Sequence, residues 1–176
     1  MSIQSLPNLW LLSDARNDDA LEGALIRLPA GSGFVFRHYH LAPEQRRERF
    51  EMLRSICCSK NHLAILSGDG ETAREWGADG IYGAPPKLGN AAGMLRLATA
   101  HDSGDIAAAQ AAGADAIMLS PVFPTRSHPE ADVLGIDGFH ALAAQASLPV
   151  IALGGMTAER ARDLGVTRWA AIDGLS

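Results

Sequence analysis

Two loops suited to anion binding follow short apolar runs in the second half of the chain. The run Ala116–Leu119 is followed by the polar segment Pro121–His128. The run Val150–Leu153 is followed by Gly154 and Gly155. In a parallel α/β protein, loops at the carboxyl ends of the strands hold the ligand, and paired glycines let backbone N–H groups approach a phosphate closely. This order predicts a phosphate-binding barrel; the alternative for the glycines is a tight strand-to-helix turn alone.

A histidine, His101, follows the predicted fifth strand and lies two residues after Thr99. Imidazole titrates near neutral pH and can move a proton in either direction, which suits general acid–base catalysis. A single histidine is often structural, and the position at a strand end strengthens the catalytic interpretation without deciding between the two. His101 is therefore a candidate catalytic acid–base, with a structural role as the alternative.

An arginine, Arg37, closes the predicted second strand in the segment FVFRHYH. Its side chain falls on the same face as Tyr39, while His38 and His40 share the other face. A guanidinium at a strand end can clamp an oxyanion. The two histidines have no carboxylate or cysteine at a helpful spacing, so no metal site is predicted there.

The segment PEQRRERFEMLR alternates Arg46, Arg47 and Arg49 with glutamates at positions 44, 48 and 51. Alternating charges of this kind are typical of a solvated helix face rather than of a phosphate site.

Short, continuously apolar runs alternate with helical patterns along the chain, as expected for parallel strands covered by helices. The predicted strands are Leu9–Leu12, Gly33–Arg37, His62–Leu66, Gly80–Tyr82, Leu95–Ala98, Ala116–Leu119, Val150–Leu153 and Trp169–Ile172. The predicted helices are Asp18–Ile26, Pro43–Ser59, Glu71–Trp76, Ser103–Ala112, Ile136–Gln145 and Thr157–Leu164.

Gly-Ala-Asp triplets at residues 77–79 and 113–115 end one helix and begin the next strand, which indicates a repeated β-α unit. Eight such units predict a small (β/α)8 TIM-like barrel formed by one domain, residues 1–176; the alternative is an open doubly wound sheet. The chain has 176 residues, whereas the fold usually needs about 250. Because Gly83–Gly93 is broken by Pro and Gly, and only Gly174–Ser176 follows the eighth strand, we expect some connecting helices to be short or missing and the last helix to be absent.

The bulk composition narrows the possible partners. The formal net charge is −5, and no basic cluster alternates with aromatic residues, so nucleic acid is not an expected partner. No apolar run approaches the roughly 20 residues that cross a bilayer, and the start of the chain does not resemble a signal peptide. The only cysteines are the neighbours Cys57 and Cys58, which favours a cytoplasmic location.

Several of these motifs carry a family resemblance. The PVFPT run, the LG before a helix and the PVIALGG strand resemble the second half of the thiamine phosphate synthase/TenI family. Thr99-Ala100-His101 resembles the Ser-x-His strand end of that family. The resemblance is specific over Leu95–Leu164 and collinear from Leu9 onward. It implies a TIM-like barrel of thiamine biosynthesis or salvage that binds a small-molecule phosphate and forms a homo-oligomer.

The resemblance also implies roles for the residues named above. His101 would transfer the proton, as in the TenI-type thiazole tautomerases, and Arg37 would grip a pyrophosphate. Residues that would bind the phosphate-bearing substrate are Arg37, Thr99, Thr125, His128, Gly154 and Gly155. We predict that Arg37, Thr99, His101, Thr125 and Gly154 line one pocket. Asp173 stands where the family usually has a serine, and its carboxylate would repel a phosphate unless it points away or is protonated.

The chain departs from the synthase pattern where that pattern binds Mg²⁺. The two carboxylate positions are occupied by Gly68 and Lys87, and Asp69 lies one residue late. The lysine that follows the family's arginine is replaced by Tyr39. Because Mg²⁺ is held by carboxylates and other oxygen ligands, no cofactor is expected unless the chain is a true synthase.

Three functions remain open at the level of the sequence. The first is a protein that binds a thiazole phosphate and tautomerises it through His101. The second is a true thiamine phosphate synthase that condenses an aminopyrimidine pyrophosphate with a thiazole phosphate. The third is a non-catalytic ligand-binding or regulatory relative.

Overall fold

Eight parallel strands close into a barrel in the computed structural model, which describes residues 5–89 and 91–176. Each strand pairs with its neighbours along the chain, and β1 pairs with β8 through the register Trp10–Ala170. The strands are β1 (Leu9–Leu12), β2 (Gly33–Phe36), β3 (Leu63–Ser67), β4 (Gly80–Gly83), β5 (Leu95–Ala100), β6 (Ala116–Leu119), β7 (Val150–Ala152) and β8 (Trp169–Ala171). The closure confirms the predicted barrel, and the open-sheet alternative is wrong.

Six α-helices lie within the described residues. They are α1 (Leu21–Arg27), α2 (Pro43–Ser59), α3 (Gly70–Glu75), α4 (Ser103–Ala111), α5 (Gly135–Ala143) and α6 (Ala158–Leu164). Within the described residues, β4 and β8 are followed by the short 3₁₀ helices Pro85–Lys87 and Asp173–Leu175 rather than by α-helices. The predicted break at Gly83–Gly93 includes Asn90, which lies outside the described residues, as do residues 1–4.

The boundaries of β1, β6 and α2 are those predicted, and most others differ by one or two residues. The helix predicted at Asp18–Ile26 differs more, because a 3₁₀ helix at Ala15–Ala20 precedes α1. A capping box begins this 3₁₀ helix. The Asp14 side chain accepts a hydrogen bond from the Arg16 amide, and the Asn17 side chain accepts one from the Asp14 amide at 2.8 Å. Helical structure therefore begins directly at the mouth of the barrel.

The two Gly-Ala-Asp triplets build the same helix-to-strand turn. Gly77 and Gly113 have φ values of 71° and 70°, a left-handed conformation that glycine adopts readily after a helix. Asp79 and Asp115 each accept a backbone N–H of the preceding strand, at 2.8 and 2.7 Å. The repeat thus fixes how each following strand enters the barrel.

Large side chains fill the narrow barrel interior. Trp10 is fully buried there, and a Cβ at Gly33 would lie 2.1 Å from its ring, so glycine makes room for the indole. Other members of this inner cluster include Leu12, Val35, Ile65, Tyr82, Leu97, Met118 and Ile151. A second, larger cluster lies between the sheet and the helices.

The α2 arginines differ from the prediction. Arg46 is half-buried and donates to the carbonyl oxygens of Arg37 and Ser67 at 2.8 and 2.7 Å, which ties α2 to the carboxyl ends of β2 and β3. The Arg49 side chain is only 15% exposed and pairs with Asp18 and Glu22. The prediction of a solvated face therefore describes Arg47 but is wrong for Arg46 and Arg49.

Among the described residues, no helix has the length and apolar character required to cross a membrane.

Candidate functional site

A cavity of about 430 Å³ opens at the carboxyl ends of the strands, where barrel enzymes hold their ligands. We call it the main cavity. The structure brings every sequence-predicted site residue to its wall: Arg37, Thr99, His101, Thr125, His128, Gly154 and Gly155. These residues come from four different β-α units, so only the closed barrel assembles them.

His101 lies directly after β5 with one ring nitrogen already engaged. Nδ1 is 2.8 Å from the carbonyl oxygen of Ser120, and a carbonyl can only accept, so Nδ1 carries the proton. In the neutral ring Nε2 then holds the lone pair. Nε2 has no hydrogen-bond partner among the described residues. His101 is therefore oriented by Ser120 and free to accept a proton from a ligand.

The loop that follows β6 is ordered by a turn between two predicted residues. The backbone amide of His128 donates to the Thr125 hydroxyl at 3.1 Å. That hydroxyl keeps its own proton for donation, and both side chains line the main cavity. The loop thus presents a hydroxyl and an imidazole to the same volume.

Gly154 and Gly155 are required by packing as well as by backbone conformation. Their φ values are 104° and 60°. A Cβ at Gly154 would lie 2.7 Å from Pro121 Cα, and one at Gly155 would lie 2.5 Å from the Pro124 carbonyl oxygen. Their amide N–H groups meet no acceptor within residues 5–89 and 91–176, so they can bind an anion in the main cavity.

Arg37 is held from one side. Its Nε donates to the Ser13 carbonyl at 2.8 Å and its Nη2 to the Asp14 carboxylate at 3.1 Å. In the described part of the chain, Nη1 has no acceptor. Arg37 therefore presents unused donors to the cavity, as expected of an oxyanion clamp.

Sequence reasoning missed two further residues of the main cavity. Arg16 lies in the segment after β1, and its Nε donates to both Asp173 carboxylate oxygens at 3.0 and 3.2 Å. Asp173 is thus not turned away from the cavity; it pairs with the guanidinium of Arg16. The signal available in the sequence was a charged residue shortly after an apolar run, although Arg16 is four residues past β1, whereas His101 and Arg37 directly follow their strands. Tyr82 also lines the cavity, and burial raises the pKa of its hydroxyl to about 12, so it stays protonated.

A second cavity of about 530 Å³ adjoins the main one and shares the wall formed by Arg37, Tyr82 and Thr99. Tyr39 stands at its edge and is hydrogen-bonded to the Ser67 hydroxyl. Lys87 also lines this cavity and adds a positive charge.

Comparison with known proteins identifies the family. Residues 11–175 match the sequence profile of a family described as thiamine monophosphate synthase. The chain belongs to this family. It is 41% identical over 164 residues, covering 88% of each chain, to the putative thiamine-phosphate synthase 2 of Aquifex aeolicus. It is also 24% identical to the thiamine-phosphate synthase of Pyrococcus furiosus, in an alignment 185 residues long that covers all of this chain and 87% of that protein.

The fold of this thiamine monophosphate synthase family member is that of a solved relative. The structure of thiamine phosphate pyrophosphorylase from Pyrococcus furiosus matches it with a TM-score of 0.78 at 23% identity, over 94% of this chain and 85% of that one. At that identity the likeness concerns the fold alone.

The second cavity does not fit the Mg²⁺ that the synthase pattern implies. Gly68 has no side chain, and Lys87 is a cation. Both carboxylate oxygens of Asp69 are engaged by Thr72, through its amide at 2.8 Å and its hydroxyl at 2.9 Å, where they cap α3. No cluster of three His, Cys, Asp or Glu residues suited to a metal occurs in the described chain.

Proposed function

We propose that this protein binds a thiazole phosphate in the main cavity, with the phosphate on the free amides of Gly154 and Gly155. The observation that carries the proposal is that Gly154, Gly155 and His101, whose amides and Nε2 have no partner among the described residues, line one cavity of about 430 Å³. Barrels commonly bind phosphate in the loops after strands seven and eight. Arg37, Thr99, Thr125 and His128 line the same wall and supply further donors.

His101 moves a proton on the bound thiazole. A neutral imidazole whose Nδ1–H is fixed on a carbonyl can take a proton at Nε2 from one position of the ligand and return it at another. The ring then isomerises with no net gain or loss of atoms. No metal ion or redox cofactor enters this reaction, and we propose none for the protein.

A true thiamine phosphate synthase is the second candidate. Two observations favour it: relatives bear that name, and a second cavity adjoins the first through Arg37. The donor set at Gly68, Asp69 and Lys87 opposes it, because a pyrophosphate leaving group would lack a metal there.

The test is an assay of the purified wild-type protein with each thiazole tautomer phosphate, with and without aminopyrimidine pyrophosphate and Mg²⁺. Interconversion of the tautomers without metal supports the first candidate. Robust, Mg²⁺-dependent formation of thiamine phosphate identifies a synthase instead. Tight binding with neither reaction identifies a non-catalytic relative.

The same proposal includes the setting of the protein. We place it in the cytoplasm as a homo-oligomer whose partner is a small-molecule phosphate, with neither nucleic acid nor membrane as a partner. The formal charge of −5 supports the absence of a nucleic-acid partner, and the pair Cys57/Cys58, which lacks a disulfide, supports the cytoplasmic location. The homo-oligomer is proposed by analogy with the family. Light scattering of the purified protein measures its oligomeric state.

A further inference from the structure

Arg16 is anchored at the main cavity but keeps unused donors. Its Nε is engaged by Asp173, and its Nη2 donates to the Ser127 hydroxyl at 3.0 Å. Nη1 lies 3.4 Å from the Asp14 carboxylate. A guanidinium carries five N–H donors, so the contacts formed within the described residues leave donors available.

Asp173 is brought to the cavity by a close backbone contact. A Cβ at Gly174 would lie 2.2 Å from the Met156 carbonyl oxygen, so only glycine lets the 3₁₀ helix Asp173–Leu175 pack this closely against the loop after β7. An anion bound at Gly155 therefore shares the main cavity with the Asp173 carboxylate. Without a cation between them, the two negative charges would repel each other.

The charges around the cavity mouth form an alternating chain. Asp14 bridges Arg37 and Arg16 at 3.1 and 3.4 Å, and Arg16 continues to Asp173 at 3.0 Å. Two arginines and two aspartates cancel, so a phosphate that enters gains little long-range attraction. The charge of the phosphate must therefore be balanced by direct contact with one of the arginines.

We propose that Arg16 is a phosphate-binding residue and that Asp173 competes with the ligand's phosphate for it. This inference rests on the proposed phosphate site at Gly154 and Gly155. The Asp173 side chain is 46% exposed and that of Arg16 is 28% exposed, and ion pairs so open to water are weak and readily exchanged. The bond from Arg16 to Ser127 couples the exchange to the loop after β6.

The experiment is calorimetric titration with inorganic phosphate, thiazole phosphate and the matching thiazole alcohol. Asp173→Asn should tighten binding of both phosphates about two- to fivefold, the factor to which an exposed ion pair corresponds. Arg16→Gln should weaken it about tenfold or more, as expected for loss of a hydrogen bond from a charged donor. The double variant should bind phosphate about tenfold or more weakly than Asp173→Asn alone, because no guanidinium is then released for the ligand. The affinity for the alcohol should not change in any of them.

Asp19→Asn is the matched control for Asp173→Asn. It also removes one exposed carboxylate, from the 3₁₀ helix that carries Arg16, but Asp19 does not line the cavity. It should bind as the wild type does. Melting temperatures establish that each variant is folded, and Arg16→Lys, which keeps the charge, should recover part of the affinity.

Two results overturn the inference in different ways. If the wild type binds phosphate and Arg16→Gln binds it equally well, Arg16 is a structural partner of Asp173 and the phosphate site stands without it. If the wild type binds neither inorganic phosphate nor thiazole phosphate, the proposed function itself fails and the inference fails with it.

Discussion

The imidazole of His38 donates from Nε2 to the Asp18 carboxylate at 2.7 Å. Because a carboxylate only accepts, this fixes the tautomer, and Nδ1 accepts the Ser13 hydroxyl at 2.8 Å. Ser13 Oγ in turn accepts the backbone amide of Arg37 at 2.7 Å. His38 is buried and has a φ of 41°, which is uncommon for a residue other than glycine. A strained, buried histidine thus connects an acidic residue to the backbone of the oxyanion clamp.

This relationship gives a pH-dependent stability. Burial lowers the pKa of His38 below its usual value of 6.5, although Asp18 attracts the proton. The folded state therefore binds this proton less tightly than the unfolded state, and the free energy of unfolding should fall as the pH drops below about 6.5. Burial by itself raises the pKa of Asp18. Hydrogen bonds from His38 and Arg49 outweigh this and hold the pKa below its usual value, so Asp18 stays ionised in this window.

His38→Gln should flatten that pH profile and cost about 1–3 kcal/mol at pH 7, because buried partners lose their hydrogen bonds. Denaturant unfolding between pH 5 and 8 measures both effects. His40→Gln, in the exposed neighbour, is the control and should keep the wild-type slope. A wild-type slope in His38→Gln would show that other groups set the pH dependence.

His101→Asn should leave the fold intact, because the side chain is exposed, and should abolish tautomerisation of a thiazole phosphate. The amide keeps polarity but cannot titrate near neutral pH. The tautomer assay checks activity, and titration with the phosphate ligand should still detect binding. Unchanged activity would place the base elsewhere, with Tyr39, His128 or Asp173 as the next candidates.

Gly154→Ala should destabilise the protein by more than 1 kcal/mol and abolish phosphate binding. The new methyl group would meet Pro121 Cα at 2.7 Å and Val122 N at 2.9 Å, where the backbone leaves no room. Gly165→Ala is the control: its φ is 72° but nothing lies within 4 Å of the added Cβ, so it should cost about 1 kcal/mol and leave binding unchanged. If Gly154→Ala and Gly165→Ala had equal effects, the requirement for glycine at position 154 would come from its backbone conformation and not from close packing.

Formation of thiamine phosphate by the wild type should be absent or very low, and ligand binding should not depend on Mg²⁺. The reason is the donor set of the second cavity, where Lys87 and Gly68 replace carboxylates. Gly68→Asp with Lys87→Asp should gain Mg²⁺-dependent pyrophosphate binding. The structure allows the first change, because a Cβ at Gly68 would lie 3.7 Å from Leu66, an ordinary contact.

A magnesium titration of product formation and of pyrophosphate binding measures this prediction. The matched control is Gly68→Asn with Lys87→Asn, which has nearly the same shape without the carboxylates. Metal-dependent turnover by the wild type would contradict the prediction and favour a true synthase.

The sequence by itself determined the strands, the helices and the strand-end residues of the site. Each of these follows from a local pattern: apolar runs, Gly-Ala-Asp turns, and a polar or glycine-rich residue where a run stops. In a barrel every such stop lies at the same end, so Arg37, His101 and Gly154 reach one cavity once the fold is known.

Only the tertiary structure decided which charged residues face one another. Arg16 and Asp173 are 157 residues apart, and they meet because β1 pairs with β8. Arg46 and Arg47 are neighbours in one charged run, yet Arg46 bonds to the ends of two strands, while the Arg47 side chain is 43% exposed and pairs with glutamates on the surface. Sequence periodicity gives the face of a helix, but the partner on that face is set by how the barrel closes.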